Sequence, residues 1–132
     1  MDSGILLLLV DDERLIVELL RESLEEGGFS VATAASASEA FESLDGISGE
    51  LAGLITDVNL GASKTGWDVA RRARELRPDL PVVYTSGYAA DDWTVEGVPK
   101  SIMVPKPYAP AQVVTAISTL INKVASEVSA KK

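Results

Sequence analysis

Ile5-Leu6-Leu7-Leu8-Leu9-Val10-Asp11-Asp12 is an apolar run that stops on two carboxylates, and Leu51-Ala52-Gly53-Leu54-Ile55-Thr56-Asp57 stops on one. Short continuous apolar runs suit strands buried on both faces, as in a parallel sheet. Two such strands ending in acids gather negative charge at the C-terminal edge of the sheet. At ~4 Å, two like charges repel by about 4 kcal/mol at an effective dielectric near 20. A cluster of this kind needs a cation or a chemical role.

Working outward, short apolar runs alternate with longer segments of helical period, the pattern of a doubly wound α/β fold. Strands are expected near 5–10, 29–35, 52–56, 82–86 and 101–104. After Asp12, the residues Leu15, Ile16, Leu19, Leu20 and Leu24 predict the buried stripe of a first helix, stopped by Gly27-Gly28. Ser38 followed by Glu39 to Leu44 predicts a second helix, and Trp67 to Leu76 a third, ended by Pro78. The segment Ala89 to Val98 has no clean period and predicts a short or loose fourth helix. Ala111 to Val124 predicts a long fifth helix that buries Val113, Val114, Ile117, Leu120, Ile121 and Val124, with Pro110 suited to its first turn. Residues 125–132 read as a frayed tail on a single domain of residues 1–132, with a core of about 4–124. Right-handed crossovers favour a flavodoxin-like five-stranded parallel sheet in the order 2-1-3-4-5, with helices on both faces. The switch point then lies between strands one and three, beside Asp11, Asp12 and Asp57.

Composition removes whole classes of chemistry. The 132 residues fit one domain able to bury roughly two-thirds of its unfolded surface. Twelve Lys and Arg against twenty Asp and Glu leave a net charge of −8, which argues against binding nucleic acid or anionic membranes through bulk charge. With no Cys and no His, thiolate sites, Cys nucleophiles, Ser-His-Asp catalysis and His metal ligands are excluded. What remains is carboxylate, hydroxyl, amide, Lys and Arg chemistry. The longest apolar run is far short of the ~20 residues that span a bilayer. A soluble, cytoplasmic protein is expected.

The candidate site follows from the strand ends. Three carboxylates and a backbone carbonyl are hard oxygen donors, which suit Mg²⁺ better than a dedicated Ca²⁺ cage. Lys106, in Val104-Pro105-Lys106-Pro107, brings a cation to the same edge, and Ser86 brings a hydroxyl from the end of strand four. A carboxylate nucleophile, a divalent ion and two donors are what in-line attack on a phosphoryl group requires. Taken singly, Asp11 or Asp12 reads as a helix cap, Asp57 and Ser86 as turn residues, and Lys106 as a solvated side chain. Their arrival together from four strand ends favours the chemical reading.

These pieces resemble the response regulator receiver domain over nearly the whole chain. The matching residues are Leu-Val-Asp-Asp-Glu at 9–13, Leu-Ile-Thr-Asp-Val-Asn-Leu at 54–60 followed by Gly66, Tyr-Thr-Ser-Gly-Tyr at 84–88, and Lys106-Pro107. The resemblance implies that Asp57 accepts a phosphoryl group from a phosphohistidine on a sensor histidine kinase or histidine phosphotransfer protein. It implies Mg²⁺ held by Asp12, Asp57 and the main-chain carbonyl of Asn59, with Asp11 helping directly or through water. Lys106 would contact the phosphoryl oxygens, and Ser86, rather than the adjacent Thr85, would swing toward them. Slow self-hydrolysis, modulated by Asn59 and Tyr88, is expected, without turnover of external substrates.

One departure stands out: the family's usual Tyr or Phe three residues before the Lys is here Met103. The segment 84–88 with Pro105-Lys106-Pro107 resembles the atypical receivers named for a Phe-Ala-Thr-Gly motif, although Tyr84, Thr85 and Ser86 replace its first three residues. Signalling is then expected through order in residues 87–98 and the face of strand four, helix four, strand five and helix five. Output would pass by protein contact or phosphorelay, and a monomer is expected. Two other classes compete. One is a receiver-shaped binding module that works without phosphorylation, and the other a Mg²⁺-dependent phosphohydrolase, against which Asn59 stands where another fold's hydrolases carry an acid-base Asp.

Overall fold

The computed structural model describes residues 4–61, 64–87 and 90–130. Five strands, β1 (Leu6–Val10), β2 (Ser30–Ala34), β3 (Leu51–Asp57), β4 (Val82–Ser86) and β5 (Ile102–Pro105), alternate with five helices. These are α1 (Arg14–Glu26), α2 (Ala37–Ile47), α3 (Gly66–Leu76), α4 (Ala90–Glu96) and α5 (Pro110–Ala130). The sheet is all parallel in the order β2-β1-β3-β4-β5, a flavodoxin-like doubly wound fold.

The unbroken apolar run of β1 has a direct cause. Successive side chains in a strand face opposite sides, and both sides here are covered. Leu7 and Leu9 join Leu20 and Leu24 of α1 and Val113, Ile117 and Leu120 of α5. Leu8 and Val10 join Leu44 of α2, Val69 and Ala73 of α3, and Tyr84. Each fully buried Leu contributes roughly 1.5–3 kcal/mol of transfer free energy, so β1 is anchored from both faces.

Three expectations need correction. Leu15 and Leu19 do not belong to the buried stripe of α1: they are 82% and 55% exposed. The five apolar residues span two adjacent helix faces, and the sheet covers only the one carrying Ile16, Leu20 and Leu24. Helix α2 runs on to Ile47, past Leu44, and α5 continues through Ala130 instead of fraying at 125. Good helix formers at Ala125 and Glu127 favour the extension, and Glu127 lies 3.7 Å from Lys100. Residues 131–132 lie outside the described residues. Among the described residues, no helix is long and apolar enough to cross a membrane.

Local chemistry sets the start of α3, directly behind the sheet edge. Thr65 Oγ1 accepts the Asp68 amide and the Asp68 carboxylate accepts the Thr65 amide, a reciprocal cap. These bonds hold the Asp68 carboxyl below its ordinary range. Gly66 then packs against the main chain of β3, its amide donating to the Val58 carbonyl at 2.8 Å. A Cβ at position 66 would lie 2.1 Å from the Asp57 carbonyl oxygen, so no side chain fits. Gly66→Ala is expected to destabilise the protein by about 1–3 kcal/mol or more, because backbone must move to admit the methyl. Urea unfolding checks this, and an unchanged midpoint would contradict the close approach.

Candidate phosphoryl-acceptor site

Register places the acids side by side. Val10 pairs with Thr56, so Asp11 and Asp57 sit at the next level along β1 and β3. Asp57 pairs with Thr85, Ser86 with Pro105, and Lys106 follows. The Lys106 amide is tied to the Ser86 carbonyl at 2.7 Å, and the Val58 amide to the Thr85 carbonyl at 3.0 Å, which hold the three strand ends level.

Asp11, Asp12, Glu13 and Asp57 each present a carboxylate oxygen within 4.8 Å of the others. Lys106 Nζ lies 3.2 Å from Asp57 Oδ2, 3.6 Å from Glu13 Oε1 and 4.0 Å from Asp11 Oδ2. Asp11 and Asp57 are buried, whereas Asp12 and Glu13 are exposed. Four carboxylates against one ammonium leave three charges uncompensated when all ionise. An oxygen-rich cluster with that surplus fits a hard divalent cation.

Protonation behaviour is set first by burial and then by these charges. Burial raises the Asp11 carboxyl from an ordinary 3.8 to about 6, against a hydrogen bond from the Glu13 amide. Burial likewise raises Asp57, while Lys106 and a hydrogen bond from the Asn59 amide pull it back down. Burial alone would lower Lys106, but Asp57 and Asp11 outweigh it and hold the ammonium above its ordinary range. Tyr108, whose hydroxyl is buried without a protein partner among the described residues, is raised by burial and then by Asp11, Asp57 and Glu13.

A cavity of about 340 Å³ opens over the cluster, lined by Asp12, Glu13, Asp57, Asn59, Ser86 and Lys106 among others. It brings together the residues expected from the strand ends, with Asp11 buried beneath them. Asn59 lies at its rim, its side chain turned to accept the Gly61 amide at 3.1 Å. Ser86 lines the cavity; Thr85, one residue earlier, is 1% exposed within the sheet. Met103 is half-buried beside Tyr84 in register. Tyr88 lies outside the described residues. Glu13 is the N-cap of α1 and its side chain caps nothing, so neither Asp11 nor Asp12 fills the capping role weighed for it, although the Asp11 carboxylate accepts the Glu13 amide at 2.9 Å. Sequence reasoning assigned no role to Glu13 or Tyr108. The third acid of Asp11-Asp12-Glu13 was a visible signal for the first; for the second, only its position two residues after Lys106 pointed to the site.

The arrangement is that of a doubly wound α/β domain with acids and one lysine gathered at its switch point. The family model for the response regulator receiver domain matches residues 7–118, and the chain belongs to that family. It is 30% identical over 118 residues to the sensor kinase CckA of Brucella abortus, covering 88% of this chain and 12% of the kinase. It is 32% identical over 104 residues to the C4-dicarboxylate transport transcriptional regulatory protein DctD of Rhizobium meliloti, covering 76% of this chain and 22% of the regulator. The chain thus spans under a quarter of either relative. Among solved structures, a response regulator receiver protein from Sinorhizobium medicae superposes with a TM-score of 0.85 at 40% identity, over 89% of this chain and 94% of that one.

The raised Asp11 value has a signed consequence. Between pH 3.8 and about 6 the folded chain holds a proton that the unfolded chain releases, so this group's stabilisation is present at low pH and is lost as pH rises through that window. Without divalent metal, Asp11→Asn is therefore expected to stabilise the protein near pH 7 by on the order of 1–3 kcal/mol and to change little near pH 3.5. Urea unfolding in chelator at the two pH values checks this; equal effects at both would refute it.

Proposed function

We propose that this receiver domain is a phospho-acceptor of two-component signalling, in which Asp57 takes a phosphoryl group from a phosphohistidine on a sensor kinase or phosphotransfer protein. The observation that carries the reading is Asp57 itself: a buried carboxylate 3.2 Å from Lys106 Nζ, at the base of an open cavity ringed by acids. An Asp57 oxygen attacks phosphorus in line, the bond from phosphorus to the donor imidazole nitrogen breaks with its electron pair left on that nitrogen, and the ring, already protonated on its other nitrogen, departs as neutral imidazole. Asp12, Asp57 and the Asn59 carbonyl, with help from Asp11, would hold Mg²⁺, which would neutralise the phosphoryl oxygens. Lys106 moves its ammonium from the free carboxylates to a phosphoryl oxygen, and the Ser86 hydroxyl donates to another. No external substrate is turned over, because the acyl phosphate forms on the protein's own side chain.

The donor's approach is supported by the surface beside the cavity. Leu15 and Leu19 are exposed on α1, and Leu19 joins Ile16, Leu20, Pro107 and Tyr108 along a groove whose polar edge is Glu13 and Lys106. Exposed apolar surface of this kind, rimmed by charge, suits a protein partner. The modified aspartate adds about −1.5 to −2 charge and strong acceptors at the ends of β3 and β4, which biases the β4, α4, β5 and α5 face read by the next protein. A monomer acting in the cytoplasm is consistent with this role.

Incubation with Mg²⁺ and a small phosphodonor should add one phosphoryl group by intact mass, and Asp57→Ala should abolish the gain; a gain that persists in the variant removes the proposal. Partner affinity that is indifferent to phosphodonor would favour a phosphorylation-independent binding module. Asp12→Ala is expected to weaken Mg²⁺ binding by about tenfold or more, roughly 1.4 kcal/mol, measured by titration of the metal; undiminished binding would exclude Asp12 as a ligand.

A further inference from the structure

A set of hydrogen bonds converges on the C-terminal end of α4. From Trp93 onward, side chains and main chain tie this end of the helix to the rest of the fold. The Trp93 indole N–H donates to Ser101 Oγ at 2.9 Å, and the Ser101 hydroxyl donates to the Val98 carbonyl at 2.7 Å. The Val98 amide in turn donates to the hydroxyl of Tyr84 at 3.1 Å. From α3, Arg71 donates to the Glu96 carbonyl at 3.2 Å and pairs with the Glu96 carboxylate, while Arg74 donates to the Pro99 carbonyl at 2.6 Å. Gly97 permits the arrangement, because a Cβ there would lie 2.4 Å from the Trp93 ring. The C-terminal end of α4 is thereby fastened to β4, to α3 and to the start of β5. At its other end, three residues of chain connect α4 to Ser86.

Tyr84 is the buried member of this set. It is fully enclosed, meets Trp67 edge-on with ring centroids 4.6 Å apart, and stands in register beside Met103. Being two residues before Ser86 on the same strand, it projects to the same face of the sheet. The ring on this face is therefore locked into the core on β4, and the residue facing it on β5 is an unbranched thioether.

We propose that the Tyr84 hydroxyl is a pivot pin. It holds the C-terminal end of α4 on β4, so that events at Asp57 and Ser86 turn the helix about Val98 instead of displacing it whole. This inference rests on the phospho-acceptor reading. It makes the bond between Tyr84 and Val98 the fixed point of the response, with the movement concentrated in the first turn of α4. Tyr84 acts here as a positioning residue, remote from the reacting atoms.

The test compares backbone amide and indole spectra of the isotopically labelled full chain in Mg²⁺, with and without beryllofluoride, for the unaltered protein and Tyr84→Phe; Trp67→Phe assigns the Trp93 indole. In the unaltered protein, resonances of residues 58–59 and 90–92 should shift while the Val98 amide and the Trp93 indole hold their positions. In Tyr84→Phe, residues 58–59 should respond as before, the response should spread to Val98 and Trp93, and Val98 amide exchange should quicken by on the order of tenfold. Val98 and Trp93 shifting in the unaltered protein as much as the helix start overturns the pivot alone, as does a Tyr84→Phe response identical to that of the unaltered chain. No response at residues 58–59 overturns the phospho-acceptor reading and the pivot with it. Should Tyr84→Phe not fold, Ser101→Ala cuts the tie between Trp93 and Val98 and leaves Tyr84 in place; the Trp93 indole should then respond to beryllofluoride, and its failure to do so counts against the pin.

Discussion

One ammonium among four carboxylates is the constraint on which the rest of this structure depends. Lys106 reaches Asp57, Glu13 and Asp11 only because β5 and β1 flank the same crevice on either side of β3 and β4. Its positive charge lets Asp57 stay buried, yet it cannot balance every acid around it. The deficit leaves a cluster of hard oxygen donors of the kind that suits a divalent ion. Burial, more than the neighbouring charges, raises the Asp11 and Asp57 carboxyls, so holding both ionised at this edge carries a cost.

The fold supports this edge by making everything beneath it apolar and continuous. Leu7 to Val10 are each buried, against α1 and α5 on one face and α2 and α3 on the other. The strand therefore cannot slip by a residue without exchanging its two faces. The close seat of Gly66 on the Asp57 carbonyl adds a backbone constraint from the α3 side. Paired strand ends and a crowded backbone fix the Asp57 carboxylate in place, while Asp12, Glu13 and Asn59 remain at the open rim.

Beyond the crevice, β5 carries no aromatic side chain, and Met103 stands where the sequence resemblance leads one to expect Tyr or Phe. Met103 leaves the face beside α4 without a ring from β5, and Tyr84 supplies one from β4. A ring wedged edge-on against Trp67 and bonded through its hydroxyl to Val98 belongs to the packed core. Its contribution is positional: it ties the helix end to the strand that carries Ser86. The arginines of α3 reinforce the same end from the side.

Much of this was legible in the chain itself. Unbroken apolar strands require burial on both faces, alternation with helical segments implies parallel crossovers, and acids at the ends of strands one and three must then meet at the switch point. Those inferences use local periodicity and the handedness of connections, which residue order carries. Tertiary structure decided the rest: that Leu15 and Leu19 face outward, that Glu13 joins the cluster, that Tyr108 lies close enough to feel its charge, and that Tyr84 reaches Val98. Each of these depends on how far apart two segments stand once the strands are in register and the helices have settled on the sheet. Distance and burial are properties of that packing, and no period along the chain encodes them.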